Sequence, residues 1–299
     1  MLIGSQVSKG DQNRALALST IAFTACFAVW TIFSIIGVAI KKELSLTEFE
    51  FGLLVATPIL TGSLTRLFLG VWTERFGGRL VFSAQMILAG MATWALTWAS
   101  TYTTYLIAAL GIGLAGGSFI IGVAYVSRWY GAGKQGTALG IFGAGNVGAA
   151  VTKFVAPFVM VAYGWQGVAH VWALGLIAIG VAFFLFAKDD PELIARRAKG
   201  VKAPSFAEQF APLANIQVWR FSLYYFFVFG AFVALALWLP HYLIDVYHVD
   251  VETAGMSAAA FSLSASLFRA YGGHLSDRFG ARTVMYWCFG FSLVFLFML

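Results

Sequence analysis

Two stretches of the chain, "RLFLGVWTERFGGR" at residues 66–79 and "RAYGGHLSDRFGAR" at residues 269–282, share one pattern at a constant offset of 203 positions. In both, an arginine is followed four residues later by a glycine, then by an acid–arginine pair and a Phe-Gly step. Self-similarity at a fixed offset indicates internal duplication, so we predict two copies of one unit. The aligned pairs are Arg66 with Arg269, Gly70 with Gly273, Glu74 with Asp277, Arg75 with Arg278, Phe76 with Phe279, Gly77 with Gly280 and Arg79 with Arg282.

The composition places these units in a lipid bilayer. Of the 299 residues, 60% are hydrophobic and 11% are charged, whereas soluble domains carry about 25% charged residues. Windows of about 20 apolar residues predict membrane-spanning helices. They give eight complete spans and the start of a ninth, near 15–40, 51–73, 79–99, 103–127, 136–163, 166–187, 218–243, 254–276 and 283–299. The expected fold class is an all-α polytopic membrane protein.

Lysine and arginine concentrate on one side of these spans, the side that also holds the N-terminus. Because cytoplasmic loops are enriched in these residues, the N-terminus is predicted to be cytoplasmic in a multi-pass protein of the cell inner membrane. We therefore attribute the net charge of +6 to the orientation of the protein in the membrane and not to binding of nucleic acid. This side carries Lys9, Arg14, Arg75, Arg79, Arg128, Lys134, Lys188, Arg196, Arg197, Lys199, Lys202, Arg220, Arg278 and Arg282, and the other side only Lys41 and Lys42.

A polar segment at 188–216 divides the chain into a first half, predicted as a six-helix bundle at 1–187, and a second half that begins at 217–299. The segment itself is predicted to be a cytoplasmic interdomain loop. The sequence reaches residue 299 in the apolar run "FSLVFLFML". We therefore expect a second repeat that is truncated after about its third helix, the ninth of the chain.

Arg66 and Arg269 fall inside predicted spans, where a charged side chain costs roughly 2.5–3.5 kcal/mol. Arg66 lies eight residues before Glu74, about 12 Å along a helix, which is too far for its side chain to reach the interface fully. The predicted spans contain no central Asp or Glu to pair with either arginine. Backbone carbonyls could satisfy them, but two cations at equivalent depths favour a shared anion. A planar guanidinium fork suits a small oxyanion.

The outer part of the repeat, Gly70-x-x-x-Glu74-Arg75-x-Gly77-x-Arg79, resembles the loop between helices 2 and 3 of the major facilitator superfamily. The resemblance implies a twelve-helix parent fold made of two six-helix repeats related by an axis along the membrane normal. It also assigns the acid and the arginine of each copy to a cytoplasmic gate. An ordinary solvated loop is the alternative. The gate residues would be Glu74, Arg75, Asp277 and Arg278.

Two glycine-rich stretches narrow the family. "GIGLAGGSF" at 111–119 and "KQGTALGIFGAGNVG" at 134–148 resemble the signature of the nitrate/nitrite porter family within that superfamily. Plain glycine or aromatic helix packing is the alternative. The chain departs from the family by lacking an aromatic-Pro step before the second stretch, in "RWYGAGKQG". The substrate ligands that the resemblance implies are Arg66, Arg269, Asn146, Gly143, Gly145, Phe119, Tyr225 and Phe229.

The resulting functional prediction is a secondary transporter for nitrate, nitrite or both that works by alternating access. Lys153, seven residues after Asn146, lies near the centre of its span and is a candidate for proton coupling. The alternatives are a fixed cation that tunes the cavity and a side chain that reaches the membrane interface. Proton-coupled uptake by a symporter is the preferred reading. The alternatives are a nitrate/nitrite antiporter and a carrier for another small anion. We expect no enzymatic activity, metal or cofactor, and a monomer in the bilayer. His241 and His248 are expected at the outer rim and His274 near the inner gate, each as a surface histidine.

Overall fold

The computed structural model describes residues 8–201 and 203–298, so that Lys202 lies outside the described residues. Within them the chain is all helix and turn, and no strand is present. Short 3-10 turns join several helices. The helices are α1 (Lys9–Trp30), α2 (Phe33–Glu43), α3 (Glu48–Phe76), α4 (Gly78–Ala95), α5 (Tyr102–Ile112), α6 (Ser118–Ser127), α7 (Gln135–Gly143), α8 (Gly148–Phe186), α9 (Pro191–Ala198), α10 (Phe206–Phe210), α11 (Ile216–Tyr247), α12 (Val251–Phe279) and α13 (Ala281–Phe297).

The helical segments match the predicted spans. Six of them are long and apolar enough to cross a membrane: Lys9–Glu43, Glu48–Phe76, Gly78–Trp98, Tyr102–Ser127, Gln135–Phe186 and Ile216–Tyr247. The fifth contains 52 residues and breaks at Gly164, whose φ of 71° and ψ of 175° are not helical, so it supplies two of the predicted spans. The eighth predicted span lies in α12, and the ninth coincides with the apolar helix α13 over the described residues.

The repeat has a structural basis at the ends of α3 and α12. Gly77 and Gly280, the aligned glycines, follow these helices with φ of 93° and 84°. Only glycine adopts such positive φ values without strain. Each glycine turns the chain directly into the next helix, α4 or α13. The duplicated Phe-Gly step is therefore a helix-ending turn that the two halves share.

The segment predicted as a loop at 188–216 contains secondary structure. Asp190 is fully buried, and its side chain accepts from Leu193 N at 2.8 Å, which caps the N-terminus of α9. Pro191 occupies the first helical position, where its missing N–H costs nothing. Leu193 is buried and lies against Gly77. Helix α9 therefore packs onto the first half, and only the residues beyond it resemble the expected loop.

Helix α12 of the second half packs antiparallel along α7 and α8 of the first half. The contact is close because glycines face each other: a Cβ on Gly140 would lie 3.1 Å from the Gly273 Cα. Farther along, a Cβ on Gly255 would lie 2.8 Å from Pro157. This contact between the halves holds Arg269 of α12 against the glycine-rich turn of the first half.

Candidate functional site

The two half-buried arginines meet at one aromatic ring. Arg66 projects from α3 and Arg269 from α12, and their Cζ atoms lie 5.7 and 5.3 Å from the centroid of Phe229. Both distances are within the range of a cation–π contact. Phe229 itself is buried. The duplicated arginines of the two halves thus both lie against a single residue of α11.

Arg66 keeps donors free for a ligand. Its Nε donates to the carbonyl oxygen of Gly116 at 3.2 Å, and its Cζ lies 5.8 Å from the Trp30 ring. A guanidinium has five N–H donors, and this carbonyl takes one of them. The expected alternative, an arginine satisfied by backbone carbonyls, therefore accounts for the Nε edge only. Among the described residues the Tyr225 hydroxyl is the other polar neighbour of this guanidinium, so most of the Nη donors remain.

Arg269 is held by Asn146, which is fully buried. With the amide oriented so that its oxygen faces the guanidinium, Oδ1 lies 2.9, 3.2 and 3.0 Å from Nη1, Nε and Nη2. A point almost equidistant from the three nitrogens of a planar trigonal group lies over its face, not at its edge. The contact is therefore dipolar stacking more than aligned hydrogen bonding. It orients the cation and leaves the in-plane fork available to an oxyanion.

An aromatic column lines the arginine pair. Tyr225 stacks on Phe229 at 4.9 Å and on Phe119 at 6.0 Å, with interplanar angles of 18° and 22°. The Tyr225 hydroxyl has both Arg66 and Arg269 as charged neighbours. The three aromatic residues carried over from the family therefore lie together. Their stacked rings form one column, in which Phe229 contacts both guanidinium groups.

Sequence reasoning missed two members of the site. Phe232 continues the column at 6.2 Å from Phe229, and its ring lies 5.7 Å from the Arg269 Cζ. Its position three residues after Phe229, on the same helix face, is a signal that could have found it. Trp30 contacts Arg66 from α1 and donates from Nε1 to Pro58 O at 2.8 Å. No motif marked it.

The two glycines predicted as ligands lie in different places. A Cβ on Gly143 would lie 3.6 Å from Cδ and 3.8 Å from Nη1 of Arg269, so this glycine borders the site. A Cβ on Gly145 would instead lie 2.6 Å from the Phe23 ring. Positions i and i+2 of a helix point away from each other, which is why Gly145 packs against α1. The structure does not bring Gly145 to the arginines.

A cavity of about 970 Å³ lies between α3 and α11 and reaches this group. Its lining includes Trp30, Arg66, Tyr225 and Phe229, together with Ser63, and is otherwise mostly apolar. Arg66 is the only charged side chain among the described residues that line it. A small polar anion in this space would find donors at the site and few elsewhere.

Lys153 is fully buried in α8, beyond Asn146 along the chain. Its Nζ donates to the carbonyl oxygen of Ala149 at 3.1 Å, one turn back in its own helix. Among the residues that the structure describes, no carboxylate forms an ion pair with it. A buried ammonium without a counter-charge is destabilised relative to the neutral amine. The side chain is thus placed near the site but does not touch either arginine.

The predicted gate residues of the second half, Asp277 and Arg278, differ in their contacts from those of the first half. Asp277 accepts from Gly136 N at 2.9 Å, Thr137 N at 2.6 Å and Thr137 Oγ1 at 2.6 Å. It therefore joins α12 to the N-terminus of α7 across the two halves, where a helix dipole favours a carboxylate. Arg278 is exposed and lies over Phe279, with 5.0 Å from its Cζ to the ring.

Glu74, the counterpart of Asp277, is bound inside the first half. Arg128 and Arg196 both pair with its carboxylate, the second at 3.5 Å, and Arg128 also pairs with Asp190 at 3.1 Å. Arg75 is exposed, and its Cζ lies 5.5 Å from the Phe76 ring. The repeated motif therefore has symmetric residues but asymmetric partners in the described parts of the chain.

Comparisons with known proteins identify the family of the chain. The Major Facilitator Superfamily profile matches residues 18–299. A Thermus thermophilus protein described as "Probable nitrate/nitrite antiporter NarK1" is 41% identical over 95% of this chain and 66% of its own length. The "Nitrite extrusion protein" of Bacillus subtilis is 32% identical over 93% of this chain and 69% of its own. The chain spans about two thirds of the length of these relatives.

The chain belongs to the major facilitator superfamily and, within it, to the nitrate/nitrite porter family, which confirms the family predicted from the sequence. A solved bacterial homolog of the human lysosomal transporter Spinster, in an inward-facing and unoccupied conformation, is similar with a TM-score of 0.71. At 20% identity, over 92% of this chain and 64% of that one, this likeness supports the fold alone.

Proposed function

We propose that this protein is a secondary transporter that carries nitrate, nitrite or both across a bacterial inner membrane by alternating access. The observation that carries the proposal is the placement of Arg66 and Arg269 on one aromatic ring. Two fixed cations suit one small oxyanion held from both halves. The names of the relatives support nitrate and nitrite as the anions.

The proposed ligand set keeps the arginines, Asn146, Gly143 and the aromatic column of Phe119, Tyr225 and Phe229. In the proposed orientation, the end that holds Glu74 and Asp277 is cytoplasmic, because it also carries the excess of basic residues. The opposite end, which holds Lys41 and Glu48, faces outward. Residues 1–187 and 217–299 belong to two halves that move relative to each other, with 188–216 between them. The working unit is a monomer in the lipid bilayer.

Proton-coupled uptake is the preferred form of this activity, with Lys153 as the coupling residue. Its burial without a carboxylate partner supports a side chain that changes charge during the cycle. The second candidate is nitrate/nitrite exchange, since arginines do not titrate in the working range and one relative is described as an antiporter. Neither form needs an enzymatic step, a metal or a cofactor.

Thermal unfolding in detergent tests the anion assignment directly. Nitrate and nitrite should raise the unfolding temperature of the purified protein in a saturable manner, because a ligand that binds only the folded state stabilises it. Chloride and phosphate at the same ionic strength are the controls. If phosphate protects better than nitrate, the site belongs to a carrier for another anion.

Charge reversal at Asp277 tests the gate. In Asp277→Lys the new ammonium faces the N–H groups of Gly136 and Thr137, so the closed contact between the halves is lost. We expect nitrate exchange to slow about tenfold, while the nitrate concentration that half-protects against heat changes less than about twofold. Asp277→Asn keeps an acceptor oxygen and should recover most of the rate. Equal losses of binding and turnover would remove Asp277 from the gate.

A further inference from the structure

The halves also meet at the end opposite the gate motif. His241 of α11, in the second half, lies 3.4 Å through Nε2 from the Glu48 carboxylate of α3, in the first half. His241 was expected at the surface, but only 8% of it is exposed. The rings of Phe51 and Trp238 pack against it at 4.8 and 6.0 Å between centroids. The imidazole is therefore a buried part of the contact between the halves.

The charged groups around His241 come from three helices. Asp245 of its own helix lies 3.2 Å from Nε2, and Glu48 pairs with Lys41 of α2. The imidazole nitrogen and the two carboxylate oxygens all lie within 4.8 Å of one another. The imidazole Nδ1 is buried and has no hydrogen-bond partner among the described residues. A proton that arrives at neutral His241 is therefore added at Nδ1, while Nε2–H continues to donate to the carboxylates.

Other acidic groups at this end face elsewhere. Asp250, before α12, accepts from the backbone and hydroxyl of Thr253. Glu43 of α2 accepts from Trp165 Nε1 at 2.9 Å. Glu252 of α12 forms no ion pair within the described residues. The net charge that faces His241 therefore comes from the Glu48 and Asp245 carboxylates and from Lys41, which neutralises part of the Glu48 charge.

We propose that Glu48 and His241 form a latch that closes the outward-facing end of the transport path, and that a proton on His241 strengthens it. Histidine is the side chain that ordinarily gains a proton between about pH 8 and 5. An imidazolium attracts both carboxylates through its charge, whereas a neutral imidazole offers them a single N–H donor without a charge of its own. The latch therefore favours the outward-closed state as the pH falls. The role of this latch in transport rests on the proposed function, but its pH dependence can be measured without any transport.

The two ends then respond differently to pH. At the gate-motif end, Asp277 accepts from backbone N–H groups and a hydroxyl, and the imidazole of His274 is an electrostatic neighbour but not a hydrogen-bond partner among the described residues. At the opposite end, the contact includes an imidazole. Acidification outside the membrane would thus act on one end of the path and leave the other unchanged. That difference would bias the cycle toward closing behind an anion that has entered from the acidic side.

Pulsed electron paramagnetic resonance can measure the opening without any substrate. Spin labels are attached to Lys42→Cys of α2 and Val246→Cys of α11, two exposed positions on opposite sides of the contact, in a Cys288→Ser background. Cys26 is fully buried and does not label. When the pH falls from 8.0 to 5.5, we expect the population with a short distance between the labels to rise about fivefold relative to the population with a long distance. This change corresponds to the free energy of a modest ion pair.

Variants assign the effect. His241→Gln should remove the pH dependence of the distance ratio, and Glu48→Gln should remove most of it. The Glu48 variant should still form α3, because Glu50 and not Glu48 completes the capping box of this helix. His248→Asn is the matched control: His248 is exposed at the end of the same helix with φ of 53°, which asparagine tolerates, and the pH dependence should persist. A pH dependence that survives His241→Gln, or its absence from the parent protein, overturns the latch. Nitrate protection against heat, measured on the same samples, reports separately on the proposed function.

Discussion

Arg66→Lys and Arg269→Lys should each reduce nitrate uptake by about a hundredfold while the protein still inserts and folds. Lysine keeps the positive charge but replaces a planar fork by a point charge. Losing a bidentate, charge-assisted contact in a site without bulk water costs roughly 2–3 kcal/mol, which is about 30- to 150-fold in binding. At Arg269 the change also removes the planar surface that the Asn146 amide covers. The measurement is uptake of labelled nitrate into proteoliposomes.

The control for this experiment is Arg220→Lys. Arg220 lies on α11, the helix of Tyr225 and Phe229, but it is exposed and bonds to Gln217 and Tyr224. Its replacement should leave uptake within about twofold of the parent, as most surface substitutions do. Thermal protection by nitrate, measured on all three variants, separates lost binding from lost cycling. Parental uptake in the lysine variants of both half-buried arginines would contradict the assignment of the arginine pair.

Lys153→Gln should abolish the accumulation of nitrate that a pH gradient drives, while nitrate/nitrite counterflow remains within about threefold of the parent. Glutamine is polar and of similar reach, but it cannot carry a proton between the two sides. Counterflow requires only alternating access with an anion bound, and Lys153 contacts neither arginine. The expected loss in accumulation is complete because coupling needs a group that changes charge.

The comparison for Lys153 is Lys134→Gln, because Lys134 is an exposed lysine immediately before α7, just outside the segment that contains Lys153. It should change neither accumulation nor counterflow. If Lys153→Gln still concentrates nitrate when only a pH difference is supplied, Lys153 is a structural cation. Nitrate/nitrite exchange then becomes the leading form of the proposed activity.

Much of the fold could be predicted because it depends on local features of the sequence. The apolar runs had to become helices, since the bilayer leaves no water to satisfy an open backbone. The duplicated Phe-Gly steps became the positive-φ turns at Gly77 and Gly280. The segment at 188–216 was harder to predict, because the docking of α9 depends on Arg128 and Glu74, which lie far away in the sequence.

The candidate site divides in the same way. The two arginines and the family follow from the sequence, because a charge within an apolar span is conspicuous and because the repeat pairs Arg66 with Arg269. Nothing local places Phe232 beside Arg269, Gly145 against Phe23, or Trp30 beneath Arg66. Such contacts depend on the rotation of each helix about its axis, which hydrophobicity alone does not determine in an almost uniformly apolar chain.

The sequence by itself determined the helices, their duplication and the presence of two cations within apolar spans, because each is written in composition and spacing along the chain. The tertiary structure alone decided how the symmetric motif is used. Glu74 and Asp277 occupy equivalent positions, yet Glu74 binds Arg128 of its own half and Arg196 of α9, while Asp277 caps a helix of the other half. His241 became a buried contact between the halves for the same reason. The partners of a side chain are set by which helices pack together, and that packing joins residues that lie more than a hundred positions apart.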